Sequence, residues 1–145
     1  MILVDVNLLL YAAFREMPEH DAAHEWLEQT FAGDEAVALP WAVLGAFIRL
    51  GTNPRVMAQP LTLDEGLAYV DEWLDLPSVR VIGPTDRHRV EFSRMLRGAQ
   101  ATGNLVTDAY LATLAIEHGC RLASVDADFY KFPDLDWFNP IDRER

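Results

Sequence analysis

An apolar run, Ile2-Leu3-Val4-Asp5-Val6, is followed at once by a longer amphipathic stretch, residues 7–14. The run predicts a buried strand, because a half-exposed strand would alternate apolar and polar residues. The stretch after it predicts a helix, since its apolar residues, Leu8 and Leu9 among them, fall on one face. A charge such as Asp5 within an apolar strand seldom serves packing alone. The start of the chain therefore predicts a strand–helix unit with a functional acid at its junction.

The same alternation of apolar strand and amphipathic helix continues along the chain. Continuous apolar strands between helices indicate an α/β domain whose mostly parallel sheet is covered on both faces. Thr62 and Glu65 form a predicted capping box at the start of one helix. Thr85 is predicted to cap a later, basic helix. Residues 129–140 are predicted to be irregular. The further predicted strands are 36–39, 79–82 and 121–125, and the further predicted helices are 21–31, 41–50, 86–96 and 106–118, together with one that follows Thr62 and is stopped by Pro77.

The composition indicates a single globular domain over residues 1–145. Half of the residues are hydrophobic, and the lone cysteine, Cys120, excludes an internal disulfide and a cysteine-rich metal site. No apolar run approaches the roughly 20 residues of a membrane span, and no basic leader precedes the first strand. We therefore expect a cytoplasmic protein that does not contact a membrane.

The charge distribution limits how the chain can bind nucleic acid. A net charge of −11 argues against a broad nucleic-acid surface, since neutralising phosphates requires clustered cations. Arginine binds phosphate through two donors and stacks on bases, and four arginines fall in one short stretch. The sequence therefore predicts a basic rim beside an acidic centre. The four residues are Arg87, Arg89, Arg94 and Arg97.

Four aspartates are placed where a parallel sheet collects functional groups, beyond the carboxyl ends of its strands. Asp5 ends the first predicted strand, Asp108 begins the helix before the fourth, and Asp126 and Asp128 follow the fourth. If the first and fourth strands are neighbours, these acids share one pocket and repel one another. The chain has a single lysine, Lys131, to offset them. A hard divalent ion, Mg²⁺ or Mn²⁺, is the natural counter-charge, and water activated by it can attack a phosphodiester.

Each acid also has a structural interpretation. Asp108 suits the positive end of a helix dipole, and Asp126 and Asp128 suit a turn or a cap. Asp5 is harder to explain in this way because of the apolar residues around it. The four acids taken together favour a shared site over separate structural roles.

Three motifs occur in order along the chain: Leu3-Val4-Asp5-Val6-Asn7, Thr107-Asp108-Ala109-Tyr110-Leu111-Ala112 and Ser124-Val125-Asp126-Ala127-Asp128-Phe129. They resemble the successive signatures of PIN-domain ribonucleases and, more narrowly, of VapC-type toxins. One branch of those toxins is also similar in three further stretches, Phe47-Ile48-Arg49-Leu50, Thr52-Asn53-Pro54-Arg55-Val56 and Asp136-Trp137-Phe138-Asn139-Pro140. The resemblance covers essentially the whole chain, and the ordered combination of motifs is what makes it specific.

This resemblance implies a three-layer α/β/α sandwich and Mg²⁺- or Mn²⁺-dependent endonucleolytic cleavage of RNA, with transfer RNA as the preferred substrate. It also implies a homodimer and a small cognate antitoxin that inhibits the enzyme. The metal ligands that it implies are Asp5, Asp108, Asp126 and Asp128, of which Asp5, Asp108 and Asp126 form the catalytic set. The polar supports that it implies are Asn7 and Ser124. Under this interpretation, the expected RNA contacts are Arg87, Arg94 and Arg97.

The chain departs from the family pattern at one position. The family commonly carries a glutamate on the helix after the second strand, and that position is Ala46 here, preceded by Gly45. Glu16 and Glu91 are candidate replacements that the sequence does not rank. The departure leaves a second interpretation open, a PIN-fold binding module with weak or lost nuclease activity.

Other functional classes fit the sequence less well. A phosphotransfer receiver domain needs a lysine on a late strand, and an aspartyl-nucleophile phosphatase usually has a second aspartate where Asn7 stands. His20 and His24 lack the HExxH pattern and are expected to be exposed helix residues. The tryptophans expected in the core are Trp26, Trp41 and Trp73.

Overall fold

The computed structural model describes residues 1–142, which form a parallel five-stranded sheet and six α-helices. The strands are β1 (Ile2–Val4), β2 (Val37–Ala38), β3 (Val79–Arg80), β4 (Arg121–Ala123) and β5 (Trp137–Phe138). The helices are α1 (Val6–Ala13), α2 (His20–Ala32), α3 (Trp41–Gly51), α4 (Leu63–Leu74), α5 (His88–Gly98) and α6 (Leu105–His118), and a 3-10 helix spans Ala127–Lys131. Among these helices none is long and apolar enough to cross a membrane.

The first apolar run lies at the centre of the sheet. The strand order is β3-β2-β1-β4-β5, and Leu3 of β1 is in register with Ala38 on one side and Leu122 on the other. Because strand β1 is central and both faces of the sheet are covered, Leu3 and Val4 are completely buried. The chain winds outward from β1 through β2 to β3 and then returns to the opposite side of β1. Such a reversal leaves a crevice at the carboxyl ends of the two strands where it occurs, here β1 and β4.

Helices pack around this sheet as the apolar patterns predicted. Helix α1 packs against α2 and α3, α3 packs against α4, and α5 packs against α6. The expected three-layer α/β/α architecture with a parallel sheet is therefore confirmed. The capping box is present too: the Thr62 hydroxyl accepts from the Glu65 amide, and the Glu65 carboxylate accepts from the Thr62 amide.

Three local predictions were wrong. The first strand ends at Val4 rather than Val6, because Asp5 caps α1. The region predicted to be irregular contains the 3-10 helix and β5, a strand of two residues that is too short for any periodicity to reveal. Trp41 is 62% exposed, since it is the first residue of α3 and turns away from the sheet. In contrast, Trp73 is buried and Trp26 is partly buried against Phe138.

Thr85 is the fourth correction, because it does not cap α5, which begins at His88. Its hydroxyl accepts from the Arg87 amide and donates to Glu117 of α6, and its amide also donates to Glu117 at 3.0 Å. His88 Nδ1 lies 2.7 Å from the other Glu117 oxygen, and the Arg87 guanidinium donates to the Glu117 carbonyl. We call this group, Thr85, Arg87, His88 and Glu117, the Glu117 clasp. It ties the start of α5 to the end of α6.

Candidate metal centre

Asp5 is held at the junction between β1 and α1. It occupies the N-cap of α1, where its Oδ1 accepts from the Val6 amide at 2.7 Å. Its own amide donates to the Ala123 carbonyl at 3.0 Å and ties it to the end of β4. The residue is buried, with 7% of its surface exposed. The acid that interrupts the first apolar run therefore lies in the crevice between β1 and β4.

Ser124 joins the two strand ends through its hydroxyl. This residue follows β4 and is completely buried. The hydroxyl donates to Asp5 Oδ2 at 2.7 Å and accepts from the Asp126 amide at 3.0 Å and from Asn7 Nδ2 at 3.2 Å. A serine hydroxyl has one proton and two lone pairs, so its hydrogen-bonding capacity is fully used. Ser124 thereby fixes the positions of Asp5, Asn7 and the chain leading to Asp126.

The side chain of Asn7 has one unsatisfied atom. The Ser124 hydroxyl gives its only proton to Asp5, so Asn7 must present its NH₂ group to that hydroxyl. Its Oδ1 is buried and has no hydrogen-bond partner among residues 1–142. A buried acceptor without a donor is unfavourable by about 1–3 kcal/mol. A water molecule or a cation in the crevice would satisfy it.

Three of the predicted acids converge beside Asp5. Asp108, Asp126 and Asp128 each offer an oxygen, and these oxygens lie within 4.8 Å of one another. Asp108 comes from the first turn of α6, whereas Asp126 caps the 3-10 helix and accepts from the Asp128 amide at 2.9 Å. Asp5 lies outside this close group, with Ser124 between it and the Asp126 amide. We call Asp108, Asp126 and Asp128 the acidic triad.

Burial and crowding change the pKa values of two acids at this centre. Burial, together with the charges of Asp126, Asp5 and Asp128, raises the pKa of Asp108 to about 6. Burial also raises the pKa of Asp5, against the opposing effect of its hydrogen bonds with Ser124 and Val6. Lys131, at 3.1 Å from Asp128, is the one cation that pairs with the triad within residues 1–142. The centre therefore carries an excess of negative charge.

The donor set suits a hard divalent cation. Carboxylate oxygens are the ligands that Mg²⁺ and Mn²⁺ prefer, and such ions usually retain several water molecules. A cation between the triad carboxylates would offset their repulsion, and its water would supply the missing donor to Asn7 Oδ1. The residues present therefore fit a divalent metal.

Glu16 and Glu91, the candidate replacements for the family glutamate that is missing at Ala46, lie outside the acidic triad. Glu91 pairs with Arg94 on its own helix, and Glu16 is exposed in the turn after α1. Ala46 itself is partly buried on α3. The third acid beside Asp108 and Asp126 is Asp128, which the sequence had already indicated.

The predicted RNA-contacting arginines differ in how they are engaged. Arg87 belongs to the Glu117 clasp. Arg94 is bound by two carboxylates, at 2.8 Å from both Glu91 and Asp134. Arg97 is exposed and makes no ion pair with any other of residues 1–142. Arg94 and Arg97 lie on α5, which extends past the predicted end at residue 96, and Arg87 is the N-cap. Among the three, only Arg97 makes no hydrogen bond or ion pair through its guanidinium with any other of residues 1–142.

We expect Ser124→Ala to destabilise the protein by about 1–3 kcal/mol, because it leaves a buried Asp5 oxygen and the Asp126 amide without partners. Urea unfolding of the metal-free protein measures this change. Ser93→Ala, at an exposed serine of α5, is the matched control. Equal stability of the two variants would show that the Ser124 hydroxyl does not hold the centre together.

Comparisons with known proteins agree with this architecture. The family model described as PIN domain matches residues 2–135. Ribonuclease VapC33 of Mycobacterium tuberculosis is 38% identical over 141 residues, which cover 97% of this chain and 99% of that protein. The solved structure of VapBC2 from Rickettsia felis, bound to a DNA fragment from its promoter, matches with a TM-score of 0.71 at 19% identity, over 96% of this chain and 98% of that one. A toxin–antitoxin complex from Klebsiella pneumoniae matches with a TM-score of 0.63 at 15% identity, over 97% and 98%.

Proposed function

This chain belongs to the PIN-domain family and, within it, to the VapC-type ribonucleases, and from that membership we propose that it is a metal-dependent endoribonuclease and the toxin of a toxin–antitoxin pair. The observation that carries the proposal is the acidic triad, placed beside Asp5 in the crevice between β1 and β4. Transfer RNA is the proposed substrate on the family resemblance, and the cytoplasm is the proposed location.

The triad residues Asp108, Asp126 and Asp128 would hold Mg²⁺ or Mn²⁺, with Asp5 adding negative charge beside them. A divalent ion supplies Lewis acidity for hydrolysis of a phosphodiester, since it activates water and offsets phosphate charge. The protein's own contribution is to fix the carboxylates in place. Ser124 orients Asp5 and Asn7, and Asn7 Oδ1 is a buried acceptor that no donor among residues 1–142 satisfies.

The test is cleavage of purified transfer RNA by the purified protein with Mg²⁺ or Mn²⁺, with and without a chelator. We expect cleavage with a divalent ion and none with the chelator. End-mapping of the products then identifies the cleaved bonds. RNA binding without cleavage in either ion would instead support a PIN-fold binding module, the alternative that the alanine at position 46 keeps open.

A small cognate antitoxin is the proposed partner, as in the toxin–antitoxin structure to which this fold is similar. The net charge of −11 favours an antitoxin that places arginine or lysine at the acidic triad. Apolar antitoxin residues would fill a cleft of about 750 Å³ between α1, α2 and α4. Its apolar lining includes Ala12, Ala13, Leu27, Phe31, Trp73 and Leu76.

Co-expression with the adjacent small gene is expected to yield a stable complex without nuclease activity. Size-exclusion chromatography with light scattering measures its stoichiometry and tests the proposed homodimer of the toxin. Recovery of the native protein without any small partner would contradict the toxin–antitoxin assignment.

A further inference from the structure

We propose that the exposed face of α5 formed by Arg89, Ser93 and Arg97 binds the phosphate backbone of the RNA substrate, and that Arg94 does not. The inference rests on the proposed ribonuclease function and assigns its substrate a path across the protein. We call these three residues the α5 stripe.

The three residues share one side of the helix. They are spaced four residues apart, which places them in one row along the helix surface. Arg89 and Arg97 are eight helical steps apart, or about 12 Å. All three are exposed and line a shallow depression together with Val90, Arg94, Gly98 and Pro133. Two guanidinium groups with a hydroxyl between them offer several hydrogen-bond donors to successive phosphates of an extended RNA backbone.

The guanidinium groups of the stripe have no partner within the part of the chain that the structure describes. Neither Arg89 nor Arg97 makes a side-chain hydrogen bond or an ion pair with any of residues 1–142. Arg87 lies outside this row and donates one hydrogen bond to the Glu117 backbone carbonyl at 2.7 Å. Arg94 is different, because it is held between the carboxylates of Glu91 and Asp134. A phosphate would have to compete with these two carboxylates for Arg94.

A short segment connects the stripe to the acidic triad. Asp128 of the triad and Asp134 are six positions apart, which limits their separation to about 20 Å. Asp134 bonds to Arg94 of α5 at 2.8 Å, and Pro133 packs so closely on Gly98 that a Cβ added there would lie 2.7 Å from the proline ring. The 3-10 helix and the residues after it therefore adjoin both the triad and the depression on α5. An RNA strand leaving the triad would pass Lys131 and reach the stripe.

Charge favours an anion on this face. The chain as a whole is strongly acidic and repels a phosphate backbone over most of its surface. Arg89 and Arg97 add positive charge that no carboxylate among residues 1–142 neutralises by direct contact. The exposed side chain of Val90, beside them, offers an apolar contact for a base.

The salt dependence of RNA binding tests the proposal. The affinity of a fluorescent single-stranded RNA is measured by anisotropy in chelator over a series of KCl concentrations, for the wild type and for Arg89→Ser/Arg97→Ser. We expect the slope of log affinity against log salt to fall by about 1.4, that is, about 0.7 for each phosphate that the variant no longer neutralises. Arg94→Gln and Arg55→Ser, a substitution of an exposed arginine in the turn after α3, are expected to leave the slope unchanged.

Cleavage kinetics separate this inference from the proposed function. The double variant should raise KM for RNA and leave kcat within about twofold, because the substitutions leave every carboxylate of the acidic triad in place. An unchanged slope and KM in a variant that still cleaves would overturn the stripe but not the nuclease. A double variant that binds RNA normally but no longer dimerises or binds the antitoxin would overturn it too, since the face would then be a protein interface. Failure of the wild type to cleave RNA in any ion would contradict the proposed function itself.

Discussion

Replacing Asp108 with asparagine is expected to abolish metal-dependent RNA cleavage while the fold survives. The substitution keeps the shape of the side chain but removes a carboxylate from the acidic triad. We expect cleavage to fall by a factor on the order of a thousand, equivalent to about 4 kcal/mol of transition-state stabilisation. Metal binding, measured by titration calorimetry, should weaken in parallel.

Asp34→Asn is the matched control, because it removes the same charge from an exposed turn outside the triad. It should change neither metal affinity nor cleavage. Full activity in a well-folded Asp108→Asn protein would rule out Asp108 as a metal ligand. Equal losses in the two variants would mean that overall charge, not the triad, controls the activity.

Without metal, the same variant is expected to be more stable than the wild type at neutral pH. The pKa of Asp108 is raised to about 6 in the folded protein, above about 3.9 in the unfolded chain. The folded state therefore binds the Asp108 proton more tightly than the unfolded chain does. The resulting contribution to the free energy of unfolding is fully present below about pH 4 and is lost as the pH rises through about 6. Thermal unfolding in chelator should show the wild type losing stability between about pH 4 and 7 relative to Asp108→Asn. Parallel pH profiles would contradict the raised pKa.

Glu117→Ala is expected to produce the largest decrease in stability. The carboxylate is fully enclosed and accepts from the Thr85 amide and hydroxyl, and it lies 2.7 Å from His88 Nδ1. An alanine would leave these polar groups without hydrogen-bond partners and would create a cavity between α5 and α6. We expect a decrease of about 3 kcal/mol in the free energy of unfolding, measured with urea.

Two variants control for this result. Glu72→Ala removes an exposed glutamate from α4 and should change stability by less than about 0.5 kcal/mol. Glu117→Gln preserves the volume and an acceptor for Thr85, so its destabilisation should be smaller than that of alanine. A Glu117→Ala protein as stable as Glu72→Ala would show that the clasp does not hold α5 in place.

The clasp also predicts a dependence on acid pH. Burial raises the pKa of Glu117, but the hydrogen bonds from His88 and Thr85 outweigh it and leave that pKa below its ordinary value. A lowered pKa supplies stability above the unfolded value, about 4.3, and this stability disappears as the pH falls through the folded value. Below about pH 4.3 the difference between the wild type and Glu117→Gln should therefore shrink.

Much of the fold followed from local patterns. The apolar runs at 2–6 and 121–125 predicted the buried strands β1 and β4, because a strand covered on both faces must be apolar throughout. The box of Thr62 and Glu65 predicted the start of α4, since both partners lie within one helical turn. The two residues of β5 carry no such pattern, and their pairing with β4 depends on the rest of the sheet.

The candidate site was predictable in its members but not in its arrangement. The positions of Asp108, Asp126 and Asp128 relative to strand ends indicated a shared pocket, and their oxygens do converge. The separation of Asp5 from that close group was not predictable, because it depends on a hydrogen bond to Ser124, 119 positions away. Likewise, nothing local to Asn7 reveals that its buried oxygen lacks a partner among residues 1–142.

The sequence by itself determined the α/β alternation, the acids at the strand ends and the concentration of arginine on one helix, since each is set by neighbours in the chain. Only the tertiary structure decided which of those arginines is available. Glu91 and Asp134 pair with Arg94, whereas Arg97 is exposed and makes no ion pair with any other of residues 1–142. The physical reason is that a charged side chain is neutralised by whatever folding brings within about 4 Å of it. For Arg94 that includes a carboxylate 40 positions further along the chain, which no local pattern contains.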